Sequence, residues 1–171
     1  MNEQAVSSIL AVCRVFNKHG VEYLTVGGTA VALHGFYRLS TNAAGAVVEK
    51  PDVDFWYNPT YGNYFKLLKA LEELGQDVGK FQQEQSPNPK NSFFKYDFGH
   101  FTLDLLPALK AALPFGASYQ HREVVTLQEV AIPLISFDDL IADKKANARP
   151  KDLLDIAQLQ ANRNSDGLRR E

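Results

Sequence analysis

Pro51-Asp52-Val53-Asp54-Phe55-Trp56-Tyr57 alternates in character from residue to residue, the period-two pattern of a β-strand. Val53, Phe55 and Tyr57 fall on one face, and Asp52, Asp54 and Trp56 on the other. Residues two apart on a strand point the same way, with Cα atoms about 7 Å apart. Asp52 and Asp54 therefore project together. Asn58-Pro59-Thr60 breaks the strand.

Outward in both directions lie two further signals. Phe101-Thr102-Leu103-Asp104-Leu105-Leu106 reads as an apolar strand holding one carboxylate, which is costly to bury unless paired or metal-bound. If the two strands are neighbours, Asp52, Asp54 and Asp104 converge, repel one another and favour a hard divalent cation with oxygen ligands. Two such ions about 3.5–4 Å apart clamp the oxygens of an in-line phosphoryl displacement. Spacing alone leaves this reading and a solvated strand face both open. On the other side, Val21 to Val26 is β-prone and stops at Gly27-Gly28, after which Thr29 to His34 reads as a short helix ended by Gly35. Glycines permit close backbone approach, and amides at a helix start attract phosphate. Without Gly-Lys-Ser/Thr this is no Walker motif, and a plain strand-to-helix turn is the simpler reading of the pair in isolation.

The remaining chain supplies a scaffold. Val6, Ile9, Leu10, Cys13 and Phe16 recur at helical spacing before Gly20, and Tyr64, Leu67, Leu68 and Leu71 do so before Gly75. Gln82 to Asn91 is a polar loop with Pro87 and Pro89. Phe93–Phe98 and Phe101–Leu106 form a hairpin around Gly99-His100, and Val124–Leu127 and Val130–Ile135 form another across Gln128-Glu129. Pro133 assigns the latter strand to an edge. Ser136 caps a helix with Asp139 three residues on. Pro150 opens a last helix through about Gln160, followed by a polar, frayed tail after Asn162. Asp152 and Asp155 fall in its first turns, where they complement the macrodipole, and Lys144 and Lys145 read by spacing as a solvated face or as phosphate ligands.

The 171 residues suit one domain, with a core of about residues 21–135 and a C-terminal helical segment of about 136–162. Eighteen Lys and Arg against 20 Asp and Glu give a charge of −2, too balanced to argue for bulk binding to nucleic acid or membrane. One cysteine, Cys13, excludes an intramolecular disulfide. Neither a signal peptide nor a membrane span is expected, which implies a cytoplasmic location.

Taken together, Val26-Gly27-Gly28-Thr29-Ala30-Val31-Ala32-Leu33-His34-Gly35, then Arg38, then Pro51-Asp52-Val53-Asp54-Phe55-Trp56, resemble the minimal nucleotidyltransferases of the DNA polymerase β superfamily. The likeness is to the AbiEii-type group, which includes toxins of toxin–antitoxin and phage-defence systems. Asp104 stands where that superfamily carries its third carboxylate. Asp139-Leu140-Ile141-Ala142-Asp143-Lys144-Lys145, with Arg149-Pro150-Lys151-Asp152 and Asp155, looks like the group's C-terminal lysine and Arg-x-Lys-Asp segment.

The resemblance implies an α+β fold: a mixed central sheet flanked by helices, like the polymerase β palm, with C-terminal helices. It implies Mg²⁺-dependent transfer of an NMP from an NTP such as ATP to a hydroxyl or phosphate acceptor: tRNA, a protein or a small molecule. Asp52 and Asp54 would hold two Mg²⁺ ions, with Mn²⁺ as an alternative. Asp104 would complete the ion nearer the acceptor and help deprotonate the acceptor. Gly27, Gly28 and Thr29 would hold the phosphates. Arg38 and one of Lys144 or Lys145 would neutralise triphosphate charge. An antitoxin protein is the implied partner. Ser40 to Lys50 intervenes between Arg38 and Asp52, a segment read as a flap or as an insertion that displaces Arg38. A non-catalytic nucleotide- or partner-binding module of the same fold, and a metal-dependent phosphodiesterase or nuclease, are the competing readings.

Overall fold

The computed structural model describes residues 3–37 and 50–168. The elements run α1 (Glu3–Lys18), β1 (Tyr23–Val26), α2 (Gly27–Leu33), β2 (Asp52–Tyr57), α3 (Tyr61–Glu73), α4 (Gly79–Gln82), β3 (Phe94–Asp97) and β4 (Thr102–Leu106). They continue through α5 (Phe115–Gln120), β5 (Glu123–Leu127), β6 (Val130–Leu134), α6 (Phe137–Asn147) and α7 (Pro150–Leu168). Among the described residues, six strands form one sheet in the order β3-β4-β2-β1-β6-β5. It is mixed: β2 runs antiparallel to β1 and parallel to β4. The α+β fold with a mixed central sheet is as the sequence implied.

The alternation in β2 sorts the chain into two layers. Val53, Phe55 and Tyr57 enter a core with Leu10, Cys13 and Phe16 of α1 and Tyr64, Leu67 and Leu71 of α3. Trp56 on the opposite face joins Val26, Ala30 and Val31 beside Leu140 and Ile141 of α6 and Ile156 and Leu159 of α7. Full burial of such side chains contributes about 1.5–3 kcal/mol each, so both layers anchor β2 strongly. Asp52 and Asp54 share the Trp56 face.

Several boundaries differ from the sequence reading. Helix α2 starts at Gly27 rather than Thr29, because positive φ at Gly27 (+64°) turns the chain directly out of β1. Strand β6 is not an edge. It lies between β1 and β5, but its only register pair with β1 is Thr25↔Leu134, so Pro133 costs that contact little. The last helix continues to Leu168, eight residues past the expected end. The Gln128-Glu129 hairpin is present, with both residues at positive φ. Ser136 caps α6 by accepting from the Asp139 amide at 3.3 Å.

Candidate active site

Strand register assembles the carboxylates. Asp52 lies opposite Thr102 and Asp54 opposite Asp104 across the parallel β2–β4 pair. On the other side of β2, Asp54 stands opposite Val26, the last residue of β1. The α2 turn therefore begins beside Asp54. A Cβ on Gly27 would stand 2.9 Å from Asp54 Cγ and closer still to Oδ2, so both the positive φ and the close approach require glycine there. Gly28 meets no such neighbour.

These groups line a cleft of about 370 Å³. Gly27, Gly28, Asp52, Asp54 and Asp104 form one side, and Lys110, Asp143, Lys144, Asn147, Arg149 and Lys151 contribute the remaining polar lining. Burial, then repulsion from Asp104 and Asp52, pushes the Asp54 carboxyl up to about 6, with Lys144 and Lys151 acting in the opposite direction. Asp104 Oδ1 is buried and accepts no hydrogen bond; Lys95 Nζ lies 3.3 Å from it as an ion pair and donates to Oδ2 at 3.4 Å. Asp52 accepts from the Thr102 hydroxyl. Lys95 of β3 stands opposite Asp104 in register and also lies 4.0 Å from Asp52. A hydrogen bond to Asp104 holds its ammonium above the usual lysine range.

The donor set is chemically suited to a hard divalent cation: three carboxylates on one sheet face, one with a buried oxygen that accepts no hydrogen bond and one whose proton affinity is raised by burial and by its acidic neighbours. Among the described residues, however, no three His, Cys, Asp or Glu side chains are gathered closely enough to hold a metal as they stand.

The basic wall is built by the α6–α7 corner. Ala148 takes a left-handed conformation (φ 52°) to end α6, and Pro150 starts α7. Between them, Arg149 donates from its amide (3.1 Å) and its Nε (2.6 Å) to Asp152 Oδ2. Lys144 is only 3% exposed, and its ammonium pairs with Asp152 at 3.1 Å and Asp155 at 2.9 Å. Burial raises the Asp152 pKa, but Arg149 and Lys144 outweigh it and hold the carboxyl below its usual range. Asp152 and Asp155, at the start of α7, are completely buried and partner a cleft lysine.

The other sequence-selected residues fall elsewhere. Thr29 is buried in α2 and does not line the cleft. Lys145 is exposed and lines a separate groove with Phe137 and Arg163. Arg38 and residues 40–49 of the intervening segment lie outside the described residues. Lys110, Asp143, Asn147, Arg149 and Lys151 are cleft residues that sequence reasoning did not select. Arg149 and Lys151 had a signal in the Arg-x-Lys-Asp segment, whereas Lys110 had none. His121, which had no partner in the sequence reading, meets Asp139 at 2.9 Å.

No family model matches the chain, and comparison with curated proteins gives no match. Solved structures do match over nearly the full length. The lincosamide antibiotic adenylyltransferase LnuA, lincomycin-bound, superposes with a TM-score of 0.56 at 18% identity, covering 94% of this chain and 97% of that one. The chain has the nucleotidyltransferase fold. The solution structure of the antibiotic-resistance factor ANT(2″)-Ia matches this fold at a TM-score of 0.54 and 16% identity, covering 98% and 95%. ANT(2″)-Ia in complex with adenylyl-2″-tobramycin gives 0.56 and 14%, covering 97% and 93%. No helix among the described residues is long and apolar enough to cross a membrane.

Proposed function

We propose that this chain is a Mg²⁺-dependent nucleotidyltransferase that moves a nucleoside monophosphate from an NTP to a hydroxyl-bearing small molecule. The observation that carries the reading is the Asp54↔Asp104 register, which puts three carboxylates on one sheet face, in a cleft closed by a glycine turn on one side and cations on the other. The acceptor class is supported by the named solved structures, which contain lincomycin and adenylyl-2″-tobramycin and whose lengths this chain spans to 93–97%. An AbiEii-type toxin role with an antitoxin partner is supported by the sequence motifs alone, as are tRNA and protein acceptors.

Asp52 and Asp54 would hold two divalent cations, with Asp104 at the one nearer the acceptor; Mg²⁺, or Mn²⁺ in its place, would neutralise phosphate charge and acidify the acceptor hydroxyl. The chain's own groups orient the reactants. Gly27 lets the chain turn in contact with Asp54, and Gly28, open on its Cβ side, leaves space for the phosphates beside its backbone. Arg149 and Lys151, with Lys110, face the triphosphate as counter-charges, while Lys144 adds its field from behind, anchored by Asp152 and Asp155. The acceptor oxygen attacks the α-phosphorus, the bond to the bridging β-phosphate oxygen breaks, and pyrophosphate leaves. The hydroxyl proton passes to Asp104, whose Oδ1 has no hydrogen-bond partner.

The test is incorporation of label from α-phosphate-labelled ATP with Mg²⁺ across a panel of hydroxylated small molecules, bulk tRNA and the protein itself. Asp54→Ala and Asp104→Ala are each expected to abolish it. Wild-type transfer that survives both substitutions would sink the assigned site. Mg²⁺-ATP binding without transfer to any acceptor would favour a non-catalytic module, and nucleotides released from RNA or DNA would favour a nuclease.

A further inference from the structure

Lys95 belongs to none of the roles just assigned. It lies on β3, the edge strand beside β4, and the β3–β4 register sets it directly across from Asp104. Asp54, Asp104 and Lys95 therefore form a row across three adjacent strands on one sheet face. Its ammonium reaches Asp104 at 3.3 Å and Asp52 at 4.0 Å, so one lysine contacts two of the three carboxylates. More than half of its side chain is exposed, so it can swing away without disturbing the core.

Asp52 is drawn toward this side by both the Thr102 hydroxyl and Lys95. The three carboxylates share a face but, among the described residues, are not gathered as a metal cage. A cation already sits against the cluster.

We propose that Lys95 is the resident counter-ion of the carboxylate cluster, displaced when a divalent cation binds. The proposal rests on the assignment of Asp52, Asp54 and Asp104 as metal-holding groups. Lys95 and the divalent ion compete for the same oxygens. The lysine limits carboxylate repulsion in the empty site and lowers apparent metal affinity. Metal entry frees Asp52 from Lys95 and lets it join Asp54 and Asp104. Lys95 then stands at the acceptor side of Asp104, away from the glycine turn.

The experiment measures Mn²⁺ binding to the nucleotide-free protein by electron paramagnetic resonance, together with melting in EDTA. It compares wild type, Lys95→Met, Lys95→Arg and Lys110→Met, the last a lysine of the same cleft with no pairing to these acids in this structure. Loss of one partly exposed ion pair predicts Mn²⁺ affinity roughly three- to ten-fold higher in Lys95→Met. The EDTA form of that variant melts lower than wild type, while Lys95→Arg stays near wild type in both measurements. Affinity that is unchanged or weaker in folded Lys95→Met overturns the proposal, as does an equal gain in Lys110→Met, which would mark a general field. If wild type binds no Mn²⁺ at all, the metal-site assignment itself falls, and the Lys95 proposal with it.

Discussion

Replacing Asp54 by Asn is expected to stabilise the metal-free protein while destroying its response to Mg²⁺-ATP. Asp54 is raised from 3.8 to about 6, first by burial, then by Asp104 and Asp52. At about 1.4 kcal/mol per unit, ionising it in the folded chain costs on the order of 3 kcal/mol. Because the native pKa is the higher one, the folded chain keeps a proton that the unfolded chain releases. That contribution is fully present below about pH 4 and lost as pH rises to about 6. At pH 7.5 in EDTA, Asp54→Asn removes the cost and should raise stability by up to about 3 kcal/mol, or a melting temperature gain of roughly 6–12 °C for a chain this size. At pH 4 the two proteins should melt together. With ligand at about 100 times its dissociation constant, wild type gains about 2.7 kcal/mol, and the Asn variant gains little. Thermal melts at both pH values, with EDTA and with Mg²⁺-ATP, check all of this. An Asn variant less stable than wild type at pH 7.5 in EDTA would refute the claim that Asp54 is an electrostatic burden on the fold. By the same titration, Mn²⁺ affinity of the wild type should fall as pH drops through about 6.

Gly27→Ala should lose transfer activity and at least 1–2 kcal/mol from its left-handed φ alone, with the clash on Asp54 added. Gly28→Ala, open at Cβ, should stay folded with a stability near wild type, measured by urea titration. Lys144→Met leaves Asp152 and Asp155 buried without their ammonium and should cost about 3–5 kcal/mol; a loss under 1 kcal/mol in denaturant melts would contradict the buried pairing. Ala148→Gly relieves a left-handed non-glycine residue at the α6 end and should gain about 0.5–1 kcal/mol, read as a higher urea midpoint.

The alternation of β2 and its carboxylate face were legible because period two is a local property of six residues. So was the hairpin at Gly99-His100, and with it the register of its two strands. A two-residue turn at positions 99 and 100 pairs 98 with 101, and by the same count puts Lys95 opposite Asp104, as the register has it. The basic wall was less legible. Lys144 and Lys145 are adjacent and alike in sequence, and only the packing of α6 against α7 turns one into a buried ion-pair partner and leaves the other exposed. Asp152 and Asp155 obey the helix-start rule, yet their burial comes from tertiary contact that no helix pattern encodes. Pro133 misled for a related reason: proline forbids a ladder bond only where a ladder exists, and β6 barely pairs with β1.

The position of β2 explains why the site and the fold cannot be varied separately. It is a central strand, flanked by β1 and β4, so one register fixes Asp54 beside both the α2 turn and Asp104. A slip by one residue would turn Val53 and Phe55 out of the α1–α3 core and drive the carboxylates into it. The apolar face thus holds the acidic face in place at a charge density it would not adopt unaided. The cost falls on Asp54, whose proton affinity rises. Cations approach from opposite sides: Lys95 from the edge strand, within ion-pair distance of Asp104, and Lys144 and Lys151 from the helix pair, through the field that opposes the rise at Asp54. Lys144 is locked by two buried carboxylates and cannot leave, whereas Lys95 is half in solvent and can. If Lys95 is the counter-ion that yields to a divalent cation, as proposed, the edge strand is the side from which the metal would exchange.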